Sequence, residues 1–484
     1  MNRSHVVARN VVVTLATQLF SWVLTFGVTL YMPKYLKDTG LGIMTLVASY
    51  AAIFSVLVAL GTSTVLIKEI ARDRTRTGEL IWTALLTRLV LGLAAFGAGW
   101  VGVCLLRYDH ALRIYALIGL GTMVLGQLWD VLSCAVAGLE EFPRQSAAVL
   151  AERVISSCVL IGLVLFHKPL WMFIASGFIS YMVSLSYLVS VLRRHLLPVP
   201  RIQWTTTKSL LLAGMPFLMV GIFGAVYGQS DALLLSKISG VAAIGWYSLA
   251  KRLGGSTMII PVALTGTTLP TLTRMYRDDP SGFQRAVQRL FNLMMICVIP
   301  FSAVLILAPG QILSLLRYPA SYRNSIPVLM LMGAALILWY LSQAVSTTLI
   351  ASDRQGVFSK ITGIAAVASV PLCAACILVT QRVMANGAVG AMFSDALLEL
   401  FMVVAYIRVL PPGVFDRGAF SVLGRTAIAA LPFVLSLYVM SSSRDLIWPS
   451  LGLILYPVIC YRLRCLCRDD LLMLQQFTRR FSRA

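Results

Sequence analysis

Long apolar runs fill almost the whole of this 484-residue chain, and no gap between them could hold a soluble domain. Each run is about twenty residues long, the length that an α-helix needs to cross a hydrocarbon core about 30 Å thick. A backbone in lipid must satisfy its amides within its own segment, so we interpret these runs as helices. The sequence lacks the alternating apolar and polar pattern of a membrane β-barrel.

The composition agrees with a membrane protein. Hydrophobic residues make up 58% of the chain and charged residues only 12%, whereas a soluble protein carries roughly 25% charged residues. We predict an all-α integral membrane protein with about fourteen transmembrane helices. Their predicted ranges are 9–31, 40–67, 80–106, 111–138, 147–167, 169–192, 208–236, 242–268, 285–308, 325–351, 358–380, 386–410, 422–440 and 446–462.

The positions of the basic residues predict the topology. With the amino terminus in the cytoplasm, 26 of the 40 Lys and Arg residues fall in inner loops and the tail, and 10 fall in outer loops. Such an excess is typical of cytoplasmic loops. We therefore expect a multi-pass protein of the cytoplasmic (inner) membrane with both termini in the cytoplasm. The basic side chains that give the net charge of +21 would then contact anionic lipid headgroups, and we expect no nucleic-acid partner.

Short matching segments indicate an internal repeat. Leu41-Gly42-Ile43-Met44 opens the second span as Ile244-Gly245-Trp246-Tyr247 opens the eighth, and Ala137-Gly138-Leu139-Glu140 corresponds to Ile350-Ala351-Ser352-Asp353. Six spans are an even number, so both copies insert the same way up, as in a parallel pseudo-two-fold repeat. The predicted domains are a six-helix lobe (1–192), a cytoplasmic linker (193–207), a second six-helix lobe (208–410), and two extra helices with a basic tail (411–484).

A few charged residues lie inside the predicted spans, where each costs several kcal/mol unless it faces a cavity or a partner. Glu399 is about 20 Å from the outer end of its span, close to the middle of the membrane. The complete set is Arg88, Asp130, Glu152, Arg153, Asp231, Lys251, Arg252, Asp395 and Glu399.

Three interpretations of these charges remain open at this point. Basic residues at depth could hold a polyanionic headgroup such as a diphosphate. Acidic residues at depth could bind a coupling ion reversibly. Alternatively, opposite charges pair between helices, or shallow ones extend to the headgroups.

Other motifs contribute little. The sequence has no Walker A run and no HExxH, and its four histidines lie in tails or loops. Cys373 and Cys376 have CxxC spacing inside an apolar helix, where packing is the better interpretation. We expect no catalytic residue, no cofactor and no metal site.

Several segments resemble the flippases of lipid-linked oligosaccharides, within the multidrug/oligosaccharidyl-lipid/polysaccharide exporter superfamily. The resemblance rests on Gly214-Met215-Pro216, on Asp231, on the segment 245–252 (Gly-Trp-Tyr-Ser-Leu-Ala-Lys-Arg), and on Leu269-Pro270 followed by Arg274. It covers almost the whole chain through short motifs, together with the division of the spans into six, six and two.

The resemblance implies two lobes arranged as a V, with a central cavity that opens alternately to each side. The cargo would be a polyprenyl-diphosphate-linked oligosaccharide, with membrane lipids, H+ or Na+, a polysaccharide polymerase and other assembly proteins as further partners. By chemistry, the diphosphate and sugar would bind Arg88, Arg153, Lys251 and Arg252, and ion coupling would involve Asp130, Asp231, Asp395 and Glu399.

Three alternatives stay open. A cation-coupled multidrug exporter shares the fold, and a flippase for the peptidoglycan lipid precursor shares both the architecture and the basic cavity. A membrane-embedded glycosyltransferase or polymerase would usually have a large outer loop, which this sequence lacks.

Overall fold

The computed structural model describes residues 3–196, 204–410, 424–426, 428–437 and 447–463. Every regular element in these ranges is helical, so the predicted all-α membrane class is confirmed. Residues 197–203 of the predicted linker, and the basic tail from residue 464 onward, lie outside the described residues.

Sixteen helices follow one another in the described residues, with two short 3-10 turns between them. Their bounds are α1 Arg3–Ala59, α2 Thr62–Arg72, α3 Thr77–Leu105, α4 His110–Gly138, α5 Phe142–Leu165, α6 Leu170–Leu196, α7 Trp204–Ile238, α8 Val241–Ser256, α9 Ile259–Asp278, α10 Pro280–Leu307, α11 Pro309–Leu315, α12 Ile326–Ala351, α13 Gln355–Met384, α14 Gly387–Val409, α15 Gly424–Leu437 and α16 Ile447–Arg462.

Ten of these helical segments are long and apolar enough to cross a membrane, within the described residues. The count of fourteen stays a prediction, and the differences have local causes. The predicted first and second spans both lie within the range of α1, which the non-helical backbone of Lys37 divides into two helical segments. The predicted eighth span is interrupted between α8 and α9. The last two predicted spans are short helices only partly described.

The helices form two compact units, Met1–Ser236 and Lys237–Ala484. The division falls near the end of α7, whereas the sequence predicts it in the linker 193–207. Close packing of α7 on the first unit explains the difference, because a Cβ atom on Gly214 would meet the carbonyl oxygen of Leu60. The predicted domain bounds remain a prediction.

The core of the first unit joins α2, α3, α4 and α6. Leu66, Ile81, Leu132 and Leu188 are all nearly or completely buried in one cluster. The residues that face outward on these helices are also apolar, as expected for helices in lipid. This packing positions the charged residues of α3 and α4 described below.

In the second unit, α12 packs against α9, α10 and α14, and about half of its residues are buried. The C-terminal helices pack on α10, where the hydroxyl of Tyr456 donates to the carbonyl of Ile296 at 2.8 Å. Ala429, Ala430 and Cys460 complete that cluster. The two extra helices are therefore part of the second unit's core.

Each unit contains one interrupted span. In the first, Leu60 and Gly61 have positive φ and separate α1 from α2. In the second, Thr257 and Met258 separate α8 from α9. Side-chain hydroxyls satisfy the carbonyls at these breaks: Thr62 donates to Ala59 at 2.7 Å, and Tyr340 donates to Thr257 at 2.7 Å. Lipid offers no water to do this.

The loops of the two units turn at matching places. Glu140 and Asp353, aligned by the sequence repeat, both have positive φ. Each also pairs with an arginine that follows the interrupted span: Arg74 with Glu140 at 2.6 Å, and Arg277 with Asp353 at 3.5 Å. The other residues with positive φ at corresponding connections are Lys37 and Gly240, Arg107 and Arg317, and His167 and Ala385.

Matching aspartates also begin the helical segments that follow the two interrupted spans. Asp73 accepts a hydrogen bond from the Thr75 amide, and Asp279 accepts one from the Gly282 amide. Hydrogen bonds from Thr75 and Gly282, respectively, hold the pKa of each carboxyl below its ordinary value. Such caps satisfy amides that the first helical turn leaves unpaired.

Candidate functional site

Arg88 and Asp130 form an ion pair between two helices of the first unit. Arg88 lies on α3 and is 1% exposed, and its Nη1 is 2.6 Å from Oδ2 of Asp130 on α4. A buried guanidinium is costly without such a partner. The structure therefore brings together two residues that the sequence assigned to different roles, one to cargo and one to ion coupling.

Three further polar residues complete this cluster. Nη2 of Arg88 donates to Ser63 at 2.7 Å and to Thr62 at 3.2 Å, and Nη1 donates to the side chain of Gln127 at 3.1 Å. Ser63 in turn donates to Asp130 at 2.7 Å. The cluster thus ties α2, which starts directly after the break at Gly61, to α3 and α4.

The acid, rather than the base, is the accessible member of the pair. Asp130 keeps 38% of its side chain exposed, while both terminal nitrogens of Arg88 face protein acceptors. An external anion would have to replace Asp130 to reach Arg88. The cavity beside Arg88, bordered by α1, α3 and α7, has room for about one water molecule.

Lys251 and Asp395 form an ion pair in the second unit. The Nζ atom of Lys251 on α8 is 3.1 Å from Oδ2 of Asp395 on α14. The hydroxyl of Tyr247 donates to the same oxygen at 2.7 Å, and Nζ lies 4.8 Å from the centre of the Tyr247 ring. Again a predicted cargo residue and a predicted coupling residue are in direct contact.

The other predicted residues are distributed more widely. Glu399 lies one turn after Asp395 on α14 and is 8% exposed, and Asp231 on α7 is 4% exposed. Arg252 follows Lys251 on α8 and is half-buried. Arg153 keeps about half of its side chain exposed beside Glu152, with Nε 3.4 Å from Oε2.

The site residues predicted from the sequence did not include Thr62, Ser63, Gln127 and Tyr247. Small hydroxyl and amide side chains are common in membrane helices, so their presence alone gave no signal. A usable signal was position: Thr62 and Ser63 follow Gly61 directly, and Tyr247 stands one turn before Lys251.

Comparison with known proteins agrees with this architecture. The family described as "Polysaccharide biosynthesis protein" matches residues 7–276. No curated protein matches this chain.

Among solved structures, the chain is similar to the lipid II flippase MurJ in an inward closed conformation, with a TM-score of 0.69 and 13% identity over 95% of this chain and 99% of that one. It is also similar to an inward-facing multidrug resistance MATE transporter of the MOP superfamily, with a TM-score of 0.63 and 14% identity over 86% and 99% of the two chains. At these identities the similarity shows the fold alone.

The family match spans more than half of the chain and the fold is that of the exporter superfamily that the sequence resembles. This chain is a multi-pass membrane protein that belongs to the polysaccharide biosynthesis protein family.

Proposed function

We propose that this protein is a flippase that moves a polyprenyl-diphosphate-linked oligosaccharide across the cytoplasmic membrane by alternating access. Its product would feed the assembly of a surface polysaccharide: O-antigen, capsule or exopolysaccharide. The observation that supports this most is that each unit of a polysaccharide biosynthesis family member holds an ion pair between a basic side chain and a carboxylate within its apolar helices.

The chemistry of the cargo explains why such pairs are useful. The lipid tail can stay in the bilayer, but the glycan and its diphosphate cannot cross hydrocarbon unaided. Phosphate oxygens are acceptors of the same kind as the carboxylates of Asp130 and Asp395. A diphosphate can therefore replace a carboxylate at Arg88 or Lys251, with Arg153 and Arg252 as additional cations. No covalent bond is made, so the protein would act as a transporter and not as an enzyme.

Ion coupling is the second part of this proposal. A carboxylate released from its base would bind H+ or Na+, which links cargo binding to an ion gradient. Asp130 is paired with Arg88, and Asp395 is paired with Lys251. Asp231 and Glu399, which are buried in the same units, are the other proposed coupling residues.

Deletion of the gene in the source organism tests the cargo directly. We expect surface polysaccharide to disappear and its lipid-linked repeat unit to accumulate on the cytoplasmic face of the membrane, with both defects restored by the wild-type gene. Glycolipid that lectins cannot reach in intact spheroplasts, but can reach after lysis, gives the sidedness. Normal polysaccharide in the deletion strain would contradict the proposal.

A flippase for the peptidoglycan lipid precursor is the alternative with the closest cargo chemistry, and the similarity in fold to MurJ is the observation that favours it. The same deletion distinguishes the two. Under this alternative the peptidoglycan precursor accumulates and the surface polysaccharide is lost only as cells lyse. Accumulation of neither glycolipid, with increased drug sensitivity, would favour a multidrug exporter.

A further inference from the structure

Asp395 sits in a site that is built around a positive charge. One of its oxygens, Oδ2, receives both the ammonium of Lys251 at 3.1 Å and the hydroxyl of Tyr247 at 2.7 Å. The ammonium also lies over the Tyr247 ring, 4.8 Å from its centre. The side chain of Asp395 is only 10% exposed. A carboxylate oxygen, a hydroxyl and an aromatic face are all groups that attract a cation.

The ammonium of Lys251 occupies the position beside Asp395 that a free metal ion would need. Na+ binds oxygen ligands, and the carboxylate of Asp395 is the strongest of these in the cluster. An ion that approached Oδ2 would meet the ammonium of Lys251 at about the same distance, in surroundings that screen the repulsion poorly. Because Lys251 is part of α8, its ammonium stays beside Asp395 and does not have to bind from solution.

The neighbouring residues hold the ammonium in place. Tyr247 and Lys251 are one turn apart on α8, so the tyrosine ring supports the lysine stem while its hydroxyl reaches Asp395 on α14. Tyr247 is 2% exposed and Asp395 is 7% exposed as a whole residue. The lysine is more open, with 26% of its side chain exposed, so it is the member of the cluster that can leave.

We propose that Lys251 is the resident counter-ion of Asp395, so that this site takes a tethered ammonium in place of a free metal cation. Of the two coupling ions considered above, H+ and Na+, this arrangement excludes Na+ at Asp395. The consequence for transport rests on the proposed flippase function, whereas the consequence for ion binding does not.

Removal of the lysine should convert the site into a cation site. In Lys251→Met the carboxylate keeps its Tyr247 hydroxyl, and Glu399 lies one turn further along α14. A carboxylate and a hydroxyl that the ammonium no longer occupies are suitable ligands for a monovalent metal ion. The variant Lys251→Arg keeps the charge and should behave like the wild type.

The test measures binding of 22Na+ to the purified full-length protein in nanodiscs, with choline as the replacement cation. We expect Lys251→Met to bind Na+ at least about tenfold more tightly than the wild type, equivalent to about 1.4 kcal/mol. The double variant Lys251→Met with Asp395→Asn should lose this binding. Lys360→Met, which removes an exposed lysine from α13 in the same unit, is the matched control and should resemble the wild type.

Tight Na+ binding by the wild type, or equal binding by the wild type and Lys251→Met, would overturn the proposal. So would Na+ binding that survives in the double variant. Monodisperse elution of each protein during gel filtration excludes misfolding. If Lys251→Met elutes as aggregate, Lys251→Arg is tested in its place. Tight Na+ binding by Lys251→Arg would also refute the counter-ion role.

Transport in proteoliposomes provides the second readout. Flipping of the glycolipid is compared in Na+ and in choline buffers for the wild type and for Asp395→Asn. A stimulation of the wild type by Na+ that is absent from Asp395→Asn would place Na+ at Asp395 and would overturn the proposal. If no glycolipid is flipped in either buffer, the proposed flippase function fails, while the 22Na+ measurements still decide the role of Lys251.

Discussion

The ion pair in the first unit has one buried partner and one exposed partner. Arg88 is 1% exposed and Asp130 is 38% exposed, although their atoms are only 2.6 Å apart. Loss of the aspartate leaves a buried guanidinium without its counter-charge, whereas loss of the arginine leaves a carboxylate that water can reach. The two halves of the pair therefore have different consequences for stability.

We expect Asp130→Ala to reduce the free energy of unfolding by about 3 kcal/mol, the lower end of the cost of breaking a buried pair. The hydroxyls of Thr62 and Ser63 still bind Arg88 in that variant, which limits the loss. Arg88→Met should cost less because it keeps the apolar stem and leaves Asp130 bonded to Ser63. Thermal unfolding of the detergent-purified proteins, followed by gel filtration, measures both.

The exposed pair of Arg74 and Glu140 is the control for the effect of burial at equal distance. Its atoms are also 2.6 Å apart, but both side chains are more than half exposed. Arg74→Ala should change stability by less than about 1 kcal/mol, as is usual for surface pairs. If Arg88→Met proved more destabilising than Asp130→Ala, the asymmetric description of the buried pair would be wrong.

Export tests the same residues for function. In the deletion strain, Arg88→Met and Lys251→Met should each reduce surface polysaccharide by about tenfold or more, since loss of one charge-assisted contact costs at least about 1.4 kcal/mol. Lys360→Met should complement fully. The amount of each protein in the membrane is measured by immunoblot. Unchanged polysaccharide in both variants would remove Arg88 and Lys251 from the proposed site.

At this scale the sequence identified the charges but not their pairing. Arg88, Asp130, Lys251 and Asp395 were recognisable because a charge is expensive inside an apolar run. Their partners were not, since Lys251 and Asp395 lie on helices separated by more than one hundred residues. Which acid meets which base depends on how the helices pack, and no local pattern in the sequence reveals that packing.

Among the elements, the contact between Gly61 and Gly214 allows α7 to lie directly on the broken span. A Cβ atom on either glycine would meet backbone of the other segment, the carbonyl oxygen of Gly214 or of Leu60. Gly61 also has a φ of 67°, which favours glycine. The sequence contained the Gly-Met-Pro motif that carries Gly214, but only the packing shows what the glycine does.

Gly214→Ala should destabilise the protein, because the new methyl group displaces α7 from the carbonyl of Leu60. The matched control is Gly224→Ala on the same helix, where a Cβ atom has open space. That change should be neutral or stabilise the helix by up to about 1 kcal/mol through its better propensity. Thermal unfolding and export are measured for both. Equal stability of the two variants would mean that the close approach is unimportant.

The break between α8 and α9 depends on a hydroxyl from another helix. Tyr340 on α12 donates to the carbonyl of Thr257 at 2.7 Å, and Tyr340→Phe removes only that donor. We expect a loss of about 1–3 kcal/mol, the cost of a buried acceptor left without its partner. Tyr461→Phe, at an exposed position on α16, is the control. A thermal midpoint for Tyr340→Phe that equals the control would show that the break needs no such support.

For the whole molecule, the predicted even number of spans in the first lobe can be tested by expressing the chain as two fragments. Fragments 1–200 and 201–484, expressed together, should restore export, because each begins in the cytoplasm under the predicted topology. Fragments 1–238 and 239–484 should fail, since the second would have to begin on the outer side. Surface polysaccharide in the deletion strain is the readout. Restoration by the second pair alone would contradict the predicted topology.

The sequence by itself determined the class of this protein, because the length and hydropathy of a span are properties of consecutive residues. It also indicated the internal repeat, and the structure has matching turns at the aligned residues Glu140 and Asp353. Only the tertiary structure decided that α7 packs with the first unit, that two spans are interrupted, and that the charges predicted for cargo and for ions are paired with one another. Those features arise from contacts between helices distant along the chain, where a charge is stabilised by whichever partner the packing brings within hydrogen-bonding distance.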